Sequence, residues 1–376
     1  MTAVLAHSHS KEEQQKLWGS VALLIYMAVW VCSLISPLIV IGLIYLQCFK
    51  AAIFTTLLMF SAHVPNLWPR VKAFREFMGS AFKYFQEGSL RYEEEVDTTG
   101  TRPTIVCVHP HGIFPLGWGM LTTRPEMADV HFCFSSVLYA SPFFLIFCKL
   151  IGKPNPADKK TMQRLMKERK TMALIPGGFE EATITTNNAD RVFIKARMGF
   201  VCYALRHGYC LTPTFAFGEN RCFMNVQGAW RFRLWLNSLG FPAILPWSFP
   251  PPLPYDKSLN VVVGKPLQLP TIRKPTDSQV EEWHGKYMVE LEALYNRHKV
   301  SSWEIYYRLP ATQETIHCGD CAHHRNPHPT HTRHVRTRAR RNAHSRTRST
   351  PFATAVALRS HPDDLHRATQ PRGLSA

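Results

Sequence analysis

His109-Pro110-His111-Gly112 closes a short apolar run, 104–108, that is rich in β-branched residues. Imidazole is the side chain best suited to move a proton near neutral pH. A strand delivering two imidazoles with a φ-restricted Pro between them fixes where those rings sit. The chemistry this suits is general-base removal of a proton from a hydroxyl, with His111 as the base and His109 as its support or an alternative base. Two further polar motifs also follow apolar runs. Pro176-Gly177-Gly178-Phe179-Glu180-Glu181 comes after 171–175, and Phe217-Gly218-Glu219-Asn220 comes after 211–217. In an open α/β sheet the carboxyl ends of the strands form the rim where ligands bind. Three polar motifs at three strand ends therefore point to one site. Each alone has a plainer reading: a hydrogen-bonded structural His, a tight Gly-Gly turn, or acids favoured at a helix N-terminus.

The elements that must position these residues are legible as strands at 104–108, 171–175, 211–217 and 260–263, with helices near 157–170, 193–206 and 277–298. The last carries Val280, Trp283, Tyr287, Leu291 and Leu294 at helical spacing. Strands alternating with helices imply an α/β sheet with helices packed on it. Phe143–Leu150 reads as a buried or membrane-touching helix, and Pro246–Pro254 as an extended surface loop.

Ahead of this body, residues 17–60 hold a single charge, Lys50, in 44 residues. About 20 apolar residues cross a bilayer, so the stretch predicts a hairpin of two helices, 18–36 and 38–60, turning at Pro37. A single span ending near Gln47, with 51–60 in the interface, is the alternative. Arg70, Lys72, Arg75 and Lys83 then place the body on the cytosolic side. Over 68–85, Val71, Phe74, Phe77, Met78, Phe82 and Phe85 recur at helical spacing. They predict a basic amphipathic helix on the membrane surface, or else a helix packed on the core. The expected organisation is an N-terminal tail at 1–16, a hairpin at 17–64, an interfacial region at 65–99, a catalytic domain at 100–309 and a tail at 310–376.

The net charge of +17 suits an anionic membrane face or an anionic substrate such as a nucleotide-bearing thioester, and no nucleic-acid motif is present. Several of the ten cysteines sit in apolar contexts and read as reduced thiols. From 311 onward there are 11 Arg, no Lys and nine of the 18 His. That composition predicts a disordered segment. Cys318, Cys321, His323 and His324 have zinc-ligand spacing there, but a His-rich tail generates such coincidences. His109 and His111 alone lack the further ligands of a zinc site, so no metal or cofactor is expected.

These motifs resemble those of the diacylglycerol acyltransferase 2 family, which includes monoacylglycerol and wax-alcohol acyltransferases. The resemblance runs from Trp18 to Lys299. It is carried by His109-Pro110-His111-Gly112, by Pro176-Gly177-Gly178 with Glu181, by Arg197-Met198-Gly199-Phe200 through Leu205-Arg206-His207-Gly208, by Pro213 and Phe217-Gly218-Glu219-Asn220, and by Val263-Gly264-Lys265-Pro266. It implies a glycerolipid-acyltransferase-like α/β domain in an endoplasmic-reticulum enzyme, both termini cytosolic, able to associate with lipid droplets. Such an enzyme moves a fatty acyl group from acyl-CoA, a substrate and not a cofactor, to diacylglycerol or a related lipid alcohol. A homo-oligomer is left open.

On this reading His111 is the base, with His109 and Glu181 completing the catalytic set. Glu181, or secondly Glu219, orients the His111 ring, because Leu116 stands where glycerolipid acyltransferases with a His-x4-Asp pair carry Asp. Pro110, Gly112, Gly199, Gly218 and Asn220 are expected in the substrate site. The amides of Gly177 and Gly178 would cradle an oxyanion or a CoA phosphate. Lys195, Arg197 and Arg206 would bind CoA phosphates, and His207 would support the site or cap its helix. The chain departs from the family where Tyr84-Phe85 is followed by Gln86, and where residues 155–159 lack a Ser-Arg pair. Both departures bear on the acceptor more than on the reaction. A lipid-binding scaffold without activity, or a metal-dependent lipid hydrolase, are the readings from other classes.

Overall fold

The computed structural model describes residues 2–187, 189–240, 243–299 and 305–307. The tail and its Cys318–His324 cluster lie outside the described residues.

The chain begins with α1 (Thr2–Leu34), α2 (Ser36–Tyr45) and α3 (Phe49–Ser61). Within α1, Glu12–Leu34 is long and apolar enough to cross a membrane. α2 and α3, with 10 and 13 residues, reach only about 15 and 20 Å at 1.5 Å per residue. The second long helix expected over 38–60 is therefore broken, and the break is at Leu46–Cys48, not at Pro37. Pro37 lies in the first turn of α2, where its missing N–H is not needed. The ladder runs almost through it, Ile35 N–H bonding Val31 O and Ile39 N–H bonding Ile35 O. At the true turn Gln47 takes φ +57°, and Cys48 N–H reaches back five residues to Leu43 O.

α1 is also a core element. Ala22, Leu23, Tyr26 and Met27 are buried in one cluster with Met78, Phe82, Phe85, Trp118 and Phe147. The stretch 68–85 forms α4 (Lys72–Gly79) and a 3-10 turn at Ser80–Tyr84. Its phenylalanines and Met78 turn inward onto α1 and the core while Arg70, Lys72 and Lys83 stay exposed. The apolar stripe is thus used for packing.

The body is a mixed sheet. Its strands are β1 (Gly88–Tyr92), β2 (Thr104–His109), β3 (His131–Phe134), β4 (Lys153–Pro156) and β5 (Met172–Leu174). β6 (Asp190–Val192) pairs with Ile305–Tyr307 outside the main sheet. β7 (Cys210–Phe217) follows, then β8 (Met224–Asn225) and β9 (Pro246–Trp247), which pair with each other, then β10 (Leu259–Val263) and β11 (Leu267–Gln268). The main order is β1-β10-β7-β2-β5-β3-β4. β7, β2, β5, β3 and β4 are mutually parallel, and β10 runs antiparallel to β7. All four strands read from the sequence are present; β1, β3, β4 and β11 are additional in the main sheet, and β9 gives the expected loop 246–254 a short strand.

Helices cover both faces. α5 (Leu116–Thr122), α6 (Ser136–Ala140), α7 (Pro142–Ile151), α8 (Lys159–Lys167), α9 (Gly178–Ile184), α10 (Gly199–His207), α11 (Trp230–Ser238) and α12 (Asp277–His298) complete the chain. α12 starts with a capping box between Thr276 and Gln279. Side chains alternate across a strand. Val106 and Val108 of β2 enter the cluster shared with α1, whereas Ile105 and Cys107 enter the cluster shared with α10 and α12. His109 has the parity of the second set and faces α12.

Gly19 sets the docking of α1. A Cβ there would lie 2.9 Å from Ser80 O and 2.9 Å from Tyr84 N, both backbone atoms. Gly19→Ala should lower stability by about 1–3 kcal/mol, the usual cost of overpacking. Gly42→Ala, whose Cβ would meet nothing within 4 Å, is the control and should leave the thermal midpoint unchanged. Equal midpoints for the two variants in detergent would show that α1 is not docked this way.

Candidate active site

The ends of β5, β2 and β7 are adjacent, so the three polar motifs meet at one edge of the sheet. The contact that joins the first two is the Glu181 carboxylate, which is wholly buried. Its Oε1 accepts the backbone N–H of His111 at 3.0 Å, and its Oε2 accepts that of Phe193 at 3.4 Å. Oε1 also lies 3.6 Å from His109 Nδ1. A buried carboxylate requires donors, and here they are mainly backbone. The expectation that Glu181 orients the His111 ring by a direct hydrogen bond is corrected: it grips the His111 main chain and faces the His109 ring.

The His111 ring is oriented by its neighbour. Its Nδ1 lies 3.0 Å from Gly112 O. A carbonyl only accepts, so in the neutral ring the proton sits on Nδ1 and Nε2 carries the lone pair. Burial pushes the imidazole below its ordinary value of 6.5, with Gly112 O and the Glu181 charge pulling the other way. The residue is half-buried, and its ring hydrogen bond is made by Nδ1 and not by Nε2. A neutral, fixed, open Nε2 is what a general base needs.

His109 is differently placed. It is wholly buried, and its Nε2 lies 3.1 Å from the hydroxyl of Tyr287 on α12. Its Nδ1 faces Glu181 at 3.6 Å, beyond hydrogen-bond reach, so the pairing with Tyr287 is its side-chain hydrogen bond. His109 therefore supports the site from beneath. Tyr287 was legible only as a core position; His284, one turn earlier on the same helix, donates its Nε2–H to Ile194 O at 3.1 Å. The signal that could have found them is polar atoms on the apolar stripe of α12.

The glycine motifs serve this arrangement. A Cβ on Gly177 would fall 1.3 Å from Glu181 Oε2, and Gly178 takes φ +58°. The Gly178 amide bonds Ile175 O at 3.3 Å, which corrects its expected role as an oxyanion donor. The cis-linked Pro110 is buried between the two histidines. Gly112 has φ +66°, and its Cβ would lie 2.5 Å from Glu219 Cγ.

Glu219 does not reach His111. Its oxygens accept the amides of Leu116 at 2.9 Å and Gly117 at 2.6 Å, at the start of α5. Burial pushes it up to about 8 while the two amide bonds pull it down. It fixes the loop that bears His111 onto β7. Gly218, with φ +87°, brings the chain against Ser258 O. Asn220 Nδ2 donates to Thr186 O at 3.3 Å, an internal contact.

Of the basic residues, Lys195 and Arg197 belong to the segment that Phe193 ties to Glu181. Arg197 pairs with Glu180 and lies over the Phe193 ring. Gly199 opens α10 with free space around it. Arg206 and His207 are not at the site. They close α10 just before Cys210, which pairs with Thr104 at the other end of β2 from His109, roughly 17 Å away at 3.3 Å per residue. Gly208, with φ +66°, terminates that helix. Among the described residues no three His, Cys, Asp or Glu side chains are grouped as a metal site, and the eight described cysteines are free thiols.

The loop bearing His111 is also tied to α1. Tyr26 Oη donates to Pro115 O at 3.4 Å, and Trp30 packs edge-on against Phe114 at 5.7 Å. The site thus lies beside the apolar helix.

A family model described as diacylglycerol acyltransferase matches residues 51–307. The human diacylglycerol O-acyltransferase 2-like protein 6 is 28% identical over 62% of this chain and 76% of its own length. The bovine 2-acylglycerol O-acyltransferase 1 is 29% identical over 51% of this chain; the match spans 64% of that relative, less than two thirds. The mouse acyl-CoA wax alcohol acyltransferase 2 is 26% identical over 60% of this chain and 73% of its own length.

Gly177→Ala should displace the Glu181 carboxylate from His111 N–H. The expected result is faster amide hydrogen exchange across 109–117 and a loss of about 1–3 kcal/mol, the cost of an unsatisfied buried group. Unchanged exchange in that segment would contradict the arrangement.

Proposed function

The chain belongs to the diacylglycerol acyltransferase family, and on that footing we propose that it transfers a fatty acyl group from acyl-CoA to diacylglycerol, making triacylglycerol. The observation that carries the proposal is the half-buried His111 ring, its Nδ1 held by Gly112 O so that Nε2 carries the lone pair, in a loop packed against α1. His111 Nε2 takes the proton as the acceptor oxygen attacks the thioester carbonyl. The tetrahedral intermediate then collapses, the C–S bond breaks, and the His111 imidazolium returns its proton to the departing CoA thiolate. No redox step and no further reactant are required. His109, Glu181 and Tyr287 hold the His111 backbone in place through this cycle. Lys195 and Arg197 receive the CoA phosphates, Arg197 exchanging Glu180 for phosphate oxygens.

Monoacylglycerol and long-chain alcohol are the alternative acceptors, since the named relatives include a 2-acylglycerol and a wax-alcohol acyltransferase. Either would use the same proton path. The apolar helix and the family are compatible with a membrane location. We assign the endoplasmic reticulum, with the body cytosolic and access to lipid droplets, as part of the same proposal.

Membranes from a host lacking neutral-lipid synthesis, given labelled acyl-CoA with diacylglycerol, monoacylglycerol or fatty alcohol in parallel, test this. Label should enter triacylglycerol most; label in no product would sink the enzyme reading, and a larger yield from another acceptor would replace the first choice. His111→Ala should reduce the rate by about 10²–10⁴-fold, the usual worth of a general base.

The pH profile follows from the lowered His111 value. The neutral ring is the active form, so activity is lost as pH falls through that value. The acid limb of kcat/KM should lie below about 6.5, the unperturbed histidine value. A limb above it would mean that burial does not govern this base.

A further inference from the structure

α11 is inside out. Its buried residues are polar, Arg233 and Asn237, while large apolar side chains are exposed beside Arg231 and Ser238: Phe232 at 59%, Trp235 at 53%, and Leu239 just beyond its end at 54%. The polar face is pinned down. Arg233 donates to Ala243 O at 2.8 Å and to Asn225 Oδ1 at 2.9 Å. Asn237 donates to Thr183 Oγ1 at 2.8 Å and accepts from Ala243 N at 3.0 Å. Thr183 lies on α9, the helix that carries Glu181. The loop packed beside α11 adds Leu245, Trp247 and Phe249, exposed by 55, 62 and 72%. A helix selected for water would turn these faces the other way.

We propose that α11 and 245–249 form a second membrane-contact surface, which inserts its Phe, Trp and Leu side chains into the phospholipid leaflet already occupied by the apolar N-terminal helices. Three observations commit the surface to lipid. First, it is joined to the apolar helix through the core: Trp30 meets the buried Phe114 at 5.7 Å, and Phe114 meets the buried Phe223 at 5.0 Å, next to β8. Lys16 at the start of the apolar helix pairs with Asp256, and Tyr84 Oη donates to Pro254 O, both just beyond the loop. Second, from Arg221 to Tyr255 the chain contains no acid, and of its three Arg, Arg231 is exposed on α11 beside the apolar side chains, a charge balance suited to anionic headgroups. Third, exposed Trp and Phe are the side chains that settle at a membrane–water interface. The two apolar surfaces then flank the edge bearing His111, so a lipid acceptor reaches Nε2 from the leaflet without crossing water.

This rests on the chain working at a bilayer and not on acyl transfer, and its test contains no activity. The full chain is reconstituted in vesicles of phosphatidylcholine and phosphatidylserine carrying a diazirine-bearing phospholipid, irradiated, and its peptides are mapped by mass spectrometry. Peptides covering 230–239 and 245–249 should carry lipid, as should those of 49–61. Replacing Phe232, Trp235, Trp247 and Phe249 together by Ser should abolish label in the first two regions while 49–61 keeps it. Lipid confined to 17–61 in the unmodified chain would overturn the proposal. So would cross-links from 230–249 to a second copy of the chain in place of lipid, which would make this face a protein interface.

Discussion

A carboxylate with no exposure must be held by donors, and most of the site follows from how Glu181 meets that requirement. Its two oxygens take main-chain N–H groups from two different segments, at His111 and Phe193, while one of them faces the His109 ring. One buried charge thereby ties the end of β2, the start of α9 and the strip bearing Lys195 and Arg197 into one body. The glycines of Pro176-Gly177-Gly178 follow from it. Gly177 must lack a Cβ because the carboxylate folds back into that space, and Gly178 must take positive φ for the chain to turn into α9. The constraint is positional. Glu181 fixes where the His111 main chain lies, and Gly112 O then fixes the ring.

Glu219 makes the parallel contact on the other side. It binds the first amides of α5 and so closes the loop 110–115 between two buried carboxylates, one from the segment after β5 and one from the segment after β7. Tyr26 and Trp30 add the apolar helix to the same loop. The apolar helix and the loop bearing His111 are therefore mechanically one unit. An acyl acceptor too apolar to dissolve would arrive where the base already stands.

Much of this was legible in the sequence because the central strands are short apolar runs ending in polar motifs. β2, β5, β7 and β10 lie where the hydrophobic pattern puts them, and α12 spans its predicted range, 277–298. β1, β3 and β4 were not legible. β4 is Lys153-Pro154-Asn155-Pro156, which no strand propensity favours, and β1 lies towards the sheet edge with half-exposed residues. The turn was misplaced because Pro37 is the obvious breaker, yet a proline in a first helical turn lets the hydrogen-bond ladder run almost through it. The actual turn depends on one residue, Gln47, taking a left-handed conformation. In the candidate site, the two histidines and Glu181 do lie together as the motifs suggest, but their pairing was not legible. Spacing shows which groups can meet, and which atom of His111 the carboxylate takes is decided by the sheet. Tyr287 was hidden for a related reason: its ring fills a core position while its hydroxyl serves His109.

The central claim is that a single open nitrogen, Nε2 of His111, takes the proton of the acceptor. Chemical rescue tests it most directly. His111→Gly leaves a ring-sized gap beside a still-bound Glu181, and added imidazole can enter because the residue is half-buried. Acyl transfer by this variant should be low alone and should rise with imidazole concentration, following the fraction of neutral imidazole as pH is varied. A variant as active as the unmodified chain before any imidazole is added would place the base elsewhere.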